Sequence, residues 1–184
     1  HRAGIYDVRI ERVRGNLTDH YDPAHKVLRL SDSVYSSTSL AAIGVAAHET
    51  GHAVQHSVGY APLGLRSAMV PLTNISSRLA MPLIFLGVIF GSSRGSDFGY
   101  MFIQGGIILF AMAVLFSVVT LPVEFNASAR AVKMLGNYGI LSTDELKPVK
   151  QVLSAAALTY VAAALSAIMS LLRLILIFGR RDDR

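Results

Sequence analysis

The sequence predicts a mainly α protein: a multi-pass membrane helical chain with a small N-terminal β-hairpin or sheet and one helix that carries an H-E-x-x-H motif. Three observations lead there. First, hydrophobic residues make up 52% of the 184 positions and charged residues only 16%, with a mean hydropathy of +0.47, too apolar for an ordinary soluble domain of this size. Second, three stretches with little or no interior charge approach or exceed the ~20 apolar residues that a bilayer-crossing helix needs. Third, the hydrophobic period changes from two to helical after the first thirty-odd residues. The 17 Lys+Arg exceed the 12 Asp+Glu, for a formal charge of +5, but the basic residues are scattered, which argues against a nucleic-acid partner. The chain has no cysteine, so any bound metal must be held by histidine and carboxylate.

In chain order, Tyr6, Val8 and Ile10 alternate with Asp7, Arg9 and Glu11, the pattern of a half-buried strand. Gly15-Asn16 and Asp22-Pro23 are turn chemistry, and Lys26 to Leu30 is a second short strand, expected at a sheet edge. The hydroxyl cluster Ser36, Ser37, Thr38, Ser39 offers several N-caps to a helix over Leu40 to Val58, with Gly59 as its stop.

The membrane candidates follow. Roughly Val70 to Gly91 is one, with Asn74 and Arg78 on its first turns. Met101 to Val123 is the clearest, uncharged from Asp97 to Glu124, with a Gly105-Gly106 pair suited to close packing. The stretch between Lys150 and Arg173, continuing to Phe178, is the third, before a polar tail from Arg180 to Arg184. Between the last two lie a Gly136–Gly139 turn and a capping box of Ser142 and Glu145. The chain thus divides into 1–60 (small β plus the motif helix), 61–123 (a transmembrane helical hairpin), 124–150 (a further helix and turn) and 151–184 (a C-terminal transmembrane helix and tail). It opens at His1 without a Met or a signal-type apolar segment and reads as a fragment or processed form.

His48-Glu49-Thr50-Gly51-His52 carries the chemistry. At about 100° per residue both imidazoles share one helix face, a turn apart, and converge on a point that suits zinc. Glu49 faces the open coordination position, where it can take a proton from a zinc-activated water that then attacks a peptide carbonyl. With six His in the chain, a chance match arises on the order of once in two hundred such sequences. The expected function is therefore zinc-dependent hydrolysis of peptide bonds in protein or peptide substrates at the lipid bilayer.

A catalytic zinc usually takes three protein ligands. His56 continues the i, i+4 series, but the helix drifts about 40° per four residues, so three such histidines cannot all aim at one ion. Glu124 is favoured by topology, because two crossings between Val70 and Val123 return the chain to the side of the motif helix. A carboxylate at that boundary is either poorly solvated beside a cation or a helix-end group in interfacial water.

The run Ala46 to Gln55 around the motif and Pro122-Val123-Glu124-Phe125-Asn126-Ala127-Ser128 resemble the YugP-type family of neutral zinc metallopeptidases of bacterial membranes. Gly15 to Pro23 and Ala155 to Val161 share the likeness, which covers nearly the whole chain. Family members carry one further membrane segment ahead of the point where this chain begins, so the resemblance implies an N-terminal anchor before His1. More distantly the order of motif helix, two spans and an E-x-x-x-D helix is similar to HtpX-like and CAAX-prenyl-type membrane proteases. The resemblance implies a gluzincin-like catalytic helix, His48, His52 and Glu124 as zinc ligands, and Glu49 as the catalytic base and acid. Ser128 departs from the Asp of the HtpX-like pattern, leaving open what orients a ligand imidazole there. His20 to Leu30 becomes the strand beside the cleft to which an extended substrate adds, with a plain structural hairpin as the other reading. His20, Arg130, Tyr138 and Tyr160 are equal candidates for the oxyanion donor.

Orientation is nearly balanced by charge: Arg66, Arg130, Lys133, Lys147 and Lys150 flank the motif side, and Arg94, Arg180, Arg181 and Arg184 the other. The HtpX-like comparison implies a bacterial inner-membrane protein with its site on the cytoplasmic side. Two other classes compete: a catalytically inactive membrane scaffold, which gains nothing from Glu49, and a transporter-like helical protein, for which intramembrane charge is sparse.

Overall fold

The computed structural model describes residues 1–91 and 97–178. Arg94 and the Arg180–Arg184 tail, which enter the charge comparison above, lie outside the described residues. The elements are β1 (Arg9–Val13), β2 (His20–Asp22), β3 (Val27–Ser31), α1 (Asp32–Tyr35), α2 (Leu40–Ser57), α3 (Ala61–Gly91), α4 (Asp97–Asn137) and α5 (Thr143–Phe178). They fall into two compact units, His1–Gly64 with Leu121–Thr159, and Leu65–Thr120 with Tyr160–Arg184.

In the first unit the strands form one sheet of order β1-β3-β2, with β1 parallel to β3 and β2 antiparallel to it. The Lys26–Leu30 strand is therefore central, not an edge. Val27, Leu28, Leu30 and Ser31 are all buried, and a strand covered on both faces loses the alternation that marks an edge strand of an open sheet. The first strand also differs from its expected form. It starts at Arg9, Tyr6 and Ile10 are 77% and 62% exposed, and the half-buried positions are Glu11 and Val13. Glu11 turns toward Arg29 of β3, 3.5 Å away, so an ion pair decides the phase that apolar alternation was expected to set. Arg29 also reaches Asp22 of β2 at 2.8 Å, tying all three strands together.

Ser39 is the cap that α2 uses: its hydroxyl accepts from the Ala42 amide at 3.2 Å, and Gly59 follows the helix end at φ +63°. The Ser142–Glu145 capping box opens α5, with the Ser142 amide donating to Glu145 at 2.8 Å. The short helix α1 escapes a periodicity reading because four residues are too few to show one. A core of Ala131, Leu135, Leu141, Val149 and Leu153, joined by Leu40, Ile43 and Ala47, fixes the start of α2 between the end of α4 and the start of α5.

The second unit holds the apolar lengths of α3, α4 and α5. Among the described residues these three helices are long and apolar enough to cross a membrane. Pro71, Pro82 and Pro122 lie inside α3 and α4 without ending them, as helices in lipid tolerate. A methyl built on Gly106 would lie 2.7 Å from the Ala80 carbonyl oxygen, whereas Gly105 faces open space. One member of the expected glycine pair therefore sets the α3–α4 contact. Phe85, Leu165 and Leu176 remain widely exposed, consistent with faces made for lipid.

Candidate metal centre

The helical turn between His48 and His52 brings their rings edge to face, with centroids 4.8 Å apart. From α4, Glu124 places Oε2 3.2 Å from His48 Nε2 and 3.7 Å from His52 Nε2. The three ligand atoms all lie within 4.8 Å of one another. Two atoms bound to one zinc at about 2.0–2.1 Å and a tetrahedral angle sit about 3.3 Å apart, so both nitrogen–oxygen spacings are close to what such an ion needs. Two imidazoles and one carboxylate are also a donor set that zinc accepts while keeping a fourth position open.

Gly51 is what lets α4 come this near. A Cβ at that position would stand 2.5 Å from the Ala127 carbonyl oxygen, closer than any side chain allows. Val123 and Ala127, flanking Glu124 on the same helix face, are fully buried. The second variable position of the motif thus fixes the distance between the helices that carry the donors.

Each imidazole is held from behind through Nδ1. Ser128 Oγ lies 3.0 Å from His48 Nδ1, so the hydroxyl stands where the HtpX-like pattern has its carboxylate. Gln55 Oε1 lies 2.9 Å from His52 Nδ1, and its amide nitrogen donates to the Val123 carbonyl at 2.8 Å and Asn126 Oδ1 at 3.0 Å. Sequence reasoning missed Gln55. Its available signal was a glutamine three residues beyond His52, on the same helix face.

Glu49 is buried beside the three donors but is not one of them. Burial pushes its carboxyl above the ordinary range, against the pull of His52 and His48. At His52 burial opposes the charged form, but Glu124 and Glu49 outweigh it and the balance is upward. His56 is exposed and outside the donor group, its Nδ1 2.8 Å from the Tyr21 hydroxyl. Among the oxyanion candidates, Arg130 is engaged by Asn126 at 2.7 Å and His20 Nδ1 by the Thr18 carbonyl at 2.8 Å. The Tyr138 carbonyl accepts from Arg2 at 2.8 Å, and Tyr160 belongs to the second unit.

A family model described as "Putative neutral zinc metallopeptidase" matches residues 1–179. The chain is also similar to the "Putative membrane protease YugP" of Bacillus subtilis (strain 168), 51% identical over 182 residues that cover 98% of this chain and 77% of that protein. No solved structure matches it.

Proposed function

The chain belongs to this neutral zinc metallopeptidase family, and on that premise we propose that it is an integral membrane zinc-dependent endopeptidase. The observation that carries the reading is the meeting of His48 and His52 with Glu124, more than seventy residues further along the chain, next to a buried Glu49. In this reading His48, His52 and Glu124 hold the ion. A zinc bound there supplies a Lewis acid that polarises the scissile carbonyl and makes water a nucleophile near neutral pH.

The remaining steps belong to the chain. Glu49 takes a proton from the attacking water and returns it to the departing amine; its burial raises the carboxyl toward the range where both transfers are easy. Ser128 and Gln55 keep the two rings aimed at the common point. Extended substrate adds to the free edge of β2, not to β3, which already has a strand on each side. The Tyr21 hydroxyl, 2.8 Å from His56 Nδ1, holds β2 against the motif helix and supports that choice.

The test is a pair of variants in purified protein. Glu49→Gln is expected to keep zinc and lower peptide hydrolysis by about 10²–10⁴-fold, while His52→Ala loses the metal by elemental analysis. Undiminished hydrolysis by Glu49→Gln overturns the assignment of Glu49 as the base, and a wild type that neither binds zinc nor hydrolyses peptide is a membrane scaffold.

A further inference from the structure

Arg130 is six residues beyond Glu124 on α4 and does not belong to the donor cluster, yet it constrains that cluster by hydrogen-bond polarity. Its Nε donates to Asn126 at 2.7 Å. A guanidinium can only donate, so the atom that faces it is the amide oxygen. That oxygen is 3.0 Å from the Gln55 side chain, whose facing atom must therefore be nitrogen. The same nitrogen meets the Val123 carbonyl at 2.8 Å, another group that can only accept. Gln55 is left with its oxygen toward His52 Nδ1, at 2.9 Å, where it can only accept. Neutral His52 must then carry its proton on Nδ1 and present the Nε2 lone pair, which faces Glu124.

We propose that Gln55 is the positioning residue that sets the metal-binding tautomer of His52, its amide polarised by the Val123 carbonyl and by Arg130 through Asn126. Gln55 is completely buried, so a reversed amide would face N–H against N–H and carbonyl against carbonyl with no water to relieve either. Arg130 is seated by Tyr60, whose ring centroid lies 5.9 Å from the guanidinium carbon. The consequence for zinc rests on the proposed peptidase reading; the tautomer itself is a property of the metal-free chain.

The two are separable in one experiment. Ring ¹⁵N shifts of His52 are recorded in metal-free protein in detergent at about pH 9, where an imidazole is neutral, and zinc affinity is measured separately by chelator competition. The wild type is expected to show Nδ1 protonated and Nε2 bare. Gln55→Met, similar in volume but without the acceptor, is expected to populate the other tautomer and to weaken zinc binding by about 10- to 100-fold. Should Gln55→Met fail to fold, Gln55→Leu, which also lacks the acceptor, is expected to move the tautomer in the same direction. A wild type protonated on Nε2, or a tautomer unmoved by the folded variant, overturns the proposal. A tautomer that moves in a chain that binds no zinc supports it and defeats the peptidase reading instead.

Discussion

Gly51 shows how much depends on a single missing methyl. Because a Cβ there would overlap the Ala127 carbonyl, Gly51→Ala must push α4 away from α2. The expected cost is about 1–3 kcal/mol, as for other overpacking changes, read as a lower melting temperature, together with loss of zinc affinity by chelator competition. Ala127→Gly leaves the clashing carbonyl in place, so it is not expected to rescue the variant. His48, Glu49 and His52 are legible in the sequence because their geometry is local: one turn of one helix. Glu124 needed either the parity of membrane crossings or family resemblance, since nothing in the spacing of residues 48 and 124 says that they meet. Gly51 and Gln55 stayed hidden because their roles arise only when a second helix arrives beside the first.

At the scale of elements, β2 is the part of the proposed cleft with the fewest means of support, at three residues with one paired neighbour. Its anchor is Asp22, whose carboxyl is held well below the usual carboxylate range by Arg29, with His25 adding to the effect. A depressed folded-state pKa contributes its full stability above the unfolded value and loses it progressively as pH falls from there through the folded value. Amides of β2 are therefore expected to be fully protected from hydrogen exchange above the ordinary titration range of aspartate, near pH ~4, and to open progressively below it. Asp22→Asn is expected to expose them at neutral pH. The helices and their caps were readable because Ser39, Gly59 and the Ser142–Glu145 pair act within a few residues. Two of the three strands were readable; β2 and the strand order were not. The centre of this sheet is chosen by Arg29 reaching both neighbours, a contact between separate segments.

At the scale of the molecule, three apolar helices among the described residues and a polar, strand-bearing N-terminal part make membrane topology the property most open to direct test. With no native cysteine, single introduced cysteines report position without background. If α3 and α4 each cross once, cysteines at Gly59 and Ser142 are expected to react with an impermeant maleimide from the same side, and a cysteine at Gly91 from the other. Labelling of Gly59 and Ser142 from opposite sides contradicts two crossings. The apolar lengths that support this expectation are the clearest signal in the sequence, because lipid imposes one requirement on every turn of a helix.

The partners behind the two imidazoles, a serine hydroxyl and a glutamine amide, are both uncharged. A divalent cation held by two neutral rings and one carboxylate therefore keeps one surplus positive charge, which an ionised Glu49 cancels and a protonated Glu49 does not. Each proton that this residue picks up makes the centre more attractive to small anions. In the proposed peptidase reading the carboxylate end of a cut peptide would be such an anion, and the uncharged pairing that would sharpen a bound cation as an electrophile would also favour retention of product.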